Sequence, residues 1–482
     1  MVAGDAVADT RARRRTGRKK NLRTSAPFFT SRIRIAATCV GLAVVAGACS
    51  RKEHGVVAAS SASSAASAAA VVVDAAPAVV GPPKDLAGVV LISIDSLRAD
   101  MPWAGYPRPI APRLTELAGR AVAFTRAYAL SSYTSMSLGG LLAGKLPGEL
   151  KRDGYFFGTY TKDDLFFPEL LQQAHVFTVA AHAHGYFKNA RFEQGFDDWQ
   201  IVPDLKWNNT TDENVTSPAL EALAEKQLSD PRTESGRFFA WYHFMDPHDR
   251  YNAHEGVGPY GKSLRDRYDA EVTFTDEYVG KLLDFIAKRP WGARVAVIVT
   301  ADHGEAFGEH GQYAHGFELW QNLVRVPLFV VAPGAKAHAI DTPRSAIDVA
   351  PTICALLGVA PDAGFEGKSL VPEVYGATPE PRDVAIDLPA TSDNDRRRAL
   401  VHGETKVIAA GAQDLASVYD LAADPDEAHP LKGDAAKDAV ERYKQFEKTV
   451  VDVAPYQCKD DCLNGGYLKK KDGGAPGGDG GT

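Results

Sequence analysis

Cysteine is scarce in this chain, with five in 482 residues. Cys354 stands alone in an apolar helical pattern and reads as a buried thiol. A disulfide framework is therefore not what holds the fold together; the 45% hydrophobic content must supply a large core. Long apolar runs are missing too. The longest candidate, "IAATCVGLAVVAGACS", is too short to span a bilayer. Net positive charge is missing from the body of the chain. Residues 1–48 carry ten Lys and Arg against Asp5 and Asp9, so the net charge of −7 leaves −15 for everything after Ala48. That distribution argues against a nucleic-acid partner, whose contacts need basic residues on the folded part. No internal repeat is evident.

What stands at the start is a basic segment, a short apolar stretch and small residues, the layout of an export signal. Ala46, Gly47 and Ala48 before Cys49 resemble a bacterial lipoprotein cleavage box, with Ala46 where Leu is usual. The expectation is a signal segment over 1–48, with Cys49 as a lipidated N-terminus holding the protein at the membrane of the cell envelope. Residues 49–87, rich in Ala, Ser and Pro, read as a tether. Cys458 and Cys462, in "CKDDC", are placed to pair in an oxidising compartment, and residues 456–482 read as a flexible tail.

From Gly88 the pattern changes. "VVLISI" is a continuous β-branched run that ends at Asp95, as expected of a strand buried on both faces. "FTVAAHAHG", "RFFAWYHFMD" and "RVAVIVTADHGE" repeat the plan, with helical segments between. Alternating strands and helices predict an α/β, three-layer domain on a mainly parallel sheet over 88–375. A smaller C-terminal α+β region is expected over 376–455, closing on a helix near "KDAVERYKQFEKTV". Ligands gather at the carboxyl ends of such strands. Those ends carry Asp95, His184, His243, Asp246, His248, Asp302 and His303.

Acidic side chains and an imidazole at neighbouring strand ends form a shell for a divalent cation. Singly, an Asp after a strand is more often a helix cap, and Asp-His-Gly a turn. The order of motifs carries more. "VLISIDSLRAD", "FTRAYA", "LLAGKLP", "FMDPHDRY", "VIVTADHGEAFGEHGQYAHGFELWQNLVRVPLFVVAPG" and "DVAPTICALLGV" together resemble the sulfatase branch of the alkaline-phosphatase superfamily. The resemblance runs from about Gly88 to Leu431. It implies an alkaline-phosphatase-like sandwich and a metal-bound nucleophile at the start of a helix.

In that family the nucleophile is a Cys or Ser oxidised to formylglycine within Cys-x-Pro-x-Arg. Here the aligned position is Thr134, with Met136 for the Pro and Leu138 for the Arg. The resemblance then implies a metal shell of Asp95, Thr134, Asp302 and His303. The second Asp of the usual pair is Ser96. Calcium is the family's ion, and losing one carboxylate opens the shell to manganese, zinc or magnesium. His248 and His315 match positions near the transferred group, with His243 on the same approach. The family's lysine two residues before His248 is Asp246; Lys145 and Arg250 are the candidates to replace the missing cations. His182 and His184 read as a strand-to-loop turn or as further site residues. Thr134 itself stays open between a metal-activated nucleophile and an N-cap, a role Ser132, Ser135 or Ser137 fills equally well.

These readings point to a sulfate- or phosphate-ester hydrolase acting through a covalent Thr134 ester. The alternatives are a transferase of phosphoethanolamine or glycerol-phosphate type, and an inactive sulfatase-fold lipoprotein serving as a binding module.

Overall fold

The computed structural model describes residues 81–456 except 209, 210, 213, 249, 412 and 414. The signal segment, most of the tether, Cys49, Cys458 and Cys462 lie outside the described residues. The central sheet is built from β1 (Gly88–Ile94), β2 (Val122–Phe124), β3 (Phe177–His182), β4 (Asp198–Ile201), β5 (Phe238–Phe244), β6 (Val295–Ala301), β7 (Leu328–Val331) and β8 (His338–Ile340). Their order across the sheet is β8-β2-β7-β6-β1-β5-β3-β4. Only β7 runs against the others, pairing antiparallel with β6 and β2.

Every residue of β1, β5 and β6 is buried, and the period-2 alternation of a strand sends them to two separate cores. Val89, Leu91, Trp241 and Ile298 pack on one side with Leu141, Leu142 and Ile353. These come from α2 (Thr134–Ala143) and α6 (Val349–Leu356). Val90, Ile92, Tyr242 and Val299 pack on the other with Leu114, Leu117, Leu220 and Leu282. The helices there are α1 (Pro112–Arg120), α4 (Ser217–Leu228) and α5 (Leu264–Lys288). A short α3 (Phe167–Gln173) adds to the first side. This is the expected three-layer α/β sandwich with a mainly parallel sheet.

The smaller C-terminal region is an antiparallel sheet of β9 (Val384–Leu388), β10 (Arg397–His402), β11 (Thr405–Ala410) and β12 (Leu415–Asp420), paired in sequence order. Helix α7 (Asp434–Glu447) covers one face through Tyr443. The other face, with Ile386, Ala399 and Ile408, packs on Tyr133, Met136, Leu319 and Leu323. The second sheet thus supports the first turn of α2 and the segment after His315. No helix of the described residues is long and apolar enough to cross a membrane.

Candidate active site

Parallel register explains why the acidic residues meet. Ile94 on β1 is paired with Phe244 on β5 and with Ala301 on β6. Asp95 and Asp302 are each one residue further on, so they emerge side by side from strands about 4.8 Å apart. His243 lies one position inside the end of β5, in register with Ser93 and His182. Donor atoms of Asp95, His243 and Asp302 fall within 4.8 Å of one another, and all three residues are buried.

Thr134 is the first helical residue of α2, whose N-cap residue Tyr133 makes no side-chain capping bond. The hydroxyls of Ser131 and Ser132 are buried without a hydrogen-bond partner, and Ser135 donates to Phe156 O. Thr134 Oγ1 instead donates to Asp95 Oδ2 at 3.3 Å and lies 3.0 Å from His303 Nε2. The His303 Nδ1 is 3.0 Å from Gly304 O, a group that only accepts, so Nδ1 holds the proton and Nε2 presents its lone pair. Burial and the charge of His315 push the His303 imidazole well below its usual range, which keeps that lone pair available.

The two carboxylates differ. Burial works to raise Asp95, but the hydrogen bond with His243 and the fields of His248 and His303 hold it well below the carboxylate range. Burial and the neighbouring Asp95 push Asp302 well above it. Asp302 Oδ1 accepts from Ser96 N at 3.3 Å and from His303 N at 2.9 Å. Its Oδ2 is buried, accepts no hydrogen bond of normal geometry, and faces His303 Nε2 at 3.4 Å. A lone pair facing a carboxylate oxygen, with a second carboxylate alongside, fits a divalent cation.

Three more imidazoles line the approach. The His315 ring lies 4.2 Å from that of His303 and 4.9 Å from that of His248. His184 follows, 6.3 Å from His248. Its Nδ1 accepts from Tyr186 N at 3.1 Å, the turn role expected of it, and this leaves the proton on Nε2. Burial and the charge of His248 push His184 down to about 3. His182 is packed against Phe187, Trp199 and Trp241, and neither ring nitrogen has a hydrogen-bond partner.

The missing cations have structural counterparts. Met136 and Leu138 are fully buried, Leu138 inside the core beside α6. Asp246 turns away from the site and accepts from Thr216 N, Thr216 Oγ1 and Ser217 N at 2.7–2.8 Å, capping α4. Lys145 sits beyond the far end of α2, beside Gly364, so it does not replace the Arg. Arg250 is exposed. Sequence reasoning grouped Glu305 with the acidic strand end of "VTADHGE" and left its neighbours Ser93 and Trp241 without a role. Glu305, fully buried, accepts from Tyr251 OH at 3.1 Å and lies 3.1 Å from His315 Nδ1. Ser93 stands 2.8 Å from His243 Nδ1 and accepts from Trp241 Nε1 at 2.8 Å. Ser93 and Trp241 carried no signal, because both read as ordinary strand residues.

A buried parallel sheet with carboxylates, imidazoles and a hydroxyl at its carboxyl edge defines an alkaline-phosphatase-like hydrolase fold. The sulfatase family model matches residues 88–359, and a model described as N-sulphoglucosamine sulphohydrolase, C-terminal, matches 308–453. The chain belongs to the sulfatase family, a family of hydrolases. A sulfatase of Formosa agariphila is 22% identical over 370 residues, 60% of this chain and 72% of that protein. A choline-sulfatase of Rhizobium meliloti is 31% identical over 164 residues, 33% of this chain and 31% of that one. Among solved structures, the phosphonate monoester hydrolase of Agrobacterium radiobacter superposes with a TM-score of 0.63 at 17% identity. That match covers 75% of this chain and 94% of the other.

Proposed function

We propose that this protein is an envelope-tethered, metal-dependent hydrolase of sulfate or phosphate esters with Thr134 as nucleophile. The observation that carries the reading is the Thr134 hydroxyl, uncommitted to capping and held between Asp95 Oδ2 and the His303 Nε2 lone pair. Asp95, Asp302, His303 and Thr134 would hold the cation. When bound, such an ion supplies Lewis acidity that lowers the pKa of a coordinated hydroxyl. Thr134 Oγ1 gives its proton to Asp95 Oδ2, which it already bonds, and attacks sulfur or phosphorus in line as the bond to the leaving alcohol breaks, giving a covalent ester. His248 and His315 donate to non-bridging oxygens or protonate the leaving oxygen, and water then releases the acid and restores Thr134. With Leu138 buried and Asp246 turned away, the oxyanion site relies on imidazoles in place of Arg and Lys. A monoanionic sulfate or phosphodiester suits it better than a dianionic phosphate.

Metal analysis and a panel of nitrophenyl sulfate, phosphate and phosphodiester test the reading, with Thr134→Ala as control. The expected loss in that variant is at least about 10³-fold in kcat; unchanged turnover overturns the nucleophile. An acceptor alcohol that captures the covalent ester faster than water makes the protein a transferase. Absence of both metal and turnover makes it the binding module that the lost Arg and Lys favour. Lipidation at Cys49 is tested by labelling with a radioactive fatty acid; an unlabelled mature protein removes the anchor.

A further inference from the structure

The shell above is one carboxylate short, because Ser96 stands where the family pattern has a second Asp. Ser96 adopts φ +57°, and its hydroxyl donates to Asp95 Oδ1 at 2.9 Å. It orients Asp95 and adds no charge. From the neighbouring strand another donor reaches Asp95, on its other carboxylate oxygen. The His243 side chain is fully buried and its Nε2 lies 3.3 Å from Asp95 Oδ2. On the other side of Asp95, His303 Nε2 lies 3.7 Å from Oδ1. The two imidazoles thus flank one carboxylate on different oxygens.

His243 is also held as metal-bound imidazoles are. Such residues give their second ring N–H to a fixed acceptor, which sets the tautomer and the aim of the ring. A cation at Nε2 requires the Nδ1–H tautomer, in which Ser93 Oγ, 2.8 Å from Nδ1 and fixed by the Trp241 indole at 2.8 Å, accepts the ring N–H. Asp302 Oδ2, buried without a hydrogen-bond partner, is an independent sign that the site fits a cation.

Resting on the metal-dependent reading above, we propose that His243 Nε2 is a metal ligand in place of the carboxylate lost at Ser96. The resulting shell of two carboxylates, two imidazoles and the Thr134 hydroxyl selects first-row transition ions, zinc foremost, over calcium. Calcium prefers six to eight oxygens and a high ligand charge, whereas imidazole nitrogen suits zinc.

The test strips the full-length processed protein with a chelator and titrates it with ZnCl₂, MnCl₂ and CaCl₂. Binding is read by competition with a chromophoric chelator and by the shift in Tm. Wild type should take one Zn²⁺ per chain at least about 100-fold more tightly than Ca²⁺. His243→Gln should lose about 100-fold or more in Zn²⁺ affinity, and Ser93→Ala about 10-fold. Undiminished zinc binding in His243→Gln, or a wild-type preference for calcium, overturns the assignment and leaves the metal-dependent reading standing. No metal bound by wild type overturns both. Pulsed EPR of the Mn²⁺-loaded wild type needs no variant to fold: two inequivalent imidazole nitrogens support His243 beside His303, and one overturns it.

Discussion

A threonine hydroxyl is a poor nucleophile in water, so the role proposed for Thr134 requires surroundings that activate it. Thr134→Ser keeps the oxygen and should retain turnover within about 10-fold, while Thr134→Val, which keeps only the shape, should fall with Thr134→Ala. Glu305 belongs to the same scale. Its carboxylate bonds His315 Nδ1 and Tyr251 OH, directing His315 Nε2 toward the site. Glu305→Gln should lower kcat by roughly 10- to 100-fold, more for esters with poor leaving alcohols than for nitrophenyl esters. An equal fall across leaving groups would assign Glu305 a packing role only. Away from the site, Glu271 on α5 accepts from Asn252 N and pairs with His254, pinning the loop after His248. Burial, opposed by His254, pushes Glu271 up from 4.5 to about 7. Because the folded value lies above the unfolded one, this contribution is complete below about pH 4.5 and is lost as pH rises through 7. The loss amounts to roughly 3 kcal/mol. A difference in Tm between wild type and Glu271→Gln that varies over this window is the expected outcome, and a constant difference refutes it.

At the scale of elements, the helix N-termini are used in opposite ways. Helix α2 begins without a side-chain cap and presents Thr134 on its first turn, where the positive end of the peptide dipoles favours an anionic substrate. Helix α4 is capped by Asp246, which also anchors the turn that leads to His248. Restoring the family's lysine by Asp246→Lys should therefore not raise activity. It removes three hydrogen bonds and brings a cation to a helix N-terminus, so it should destabilise by about 2–3 kcal/mol in denaturant unfolding. A more active and equally stable Asp246→Lys would show that residue 246 faces the substrate after all.

Across the whole molecule, the C-terminal sheet completes the catalytic layer by bracing it. Lys406 on β11 is fully buried, pairs with Glu427 at 2.7 Å and donates to Leu319 O at 2.6 Å. Glu427 Oε2 accepts from Gln321 N at 2.6 Å. Both partners thus grip the segment that follows His315. Burial pulls the Lys406 ammonium below its ordinary range, and the Glu427 charge opposes this. Lys406→Met strands a buried carboxylate and should cost about 3–5 kcal/mol, whereas Lys406→Met with Glu427→Leu should recover most of it. Matching losses in the single and double variants, measured by urea unfolding, would mean the pair does not act as a unit.

The sequence by itself determined the layers and the edge where chemistry gathers. Apolar runs rich in β-branched residues, such as "VVLISI" and "VAVIVTA", alternating with helical segments, read as strands of a two-sided parallel sheet, and each is followed by an acidic residue. The resemblance to the sulfatase family also aligned Thr134 with the nucleophile position, by register with the helix that follows. What the sequence left open were the contacts made between strands. That Asp246 caps α4, that Ser93 and Trp241 support His243, and that Glu305 reaches His315 depend on lateral register and loop closure over 10 to 150 residues of separation. Local pattern records only which face a residue occupies. Which neighbour waits there is decided when the sheet assembles and the buried polar atoms must find partners.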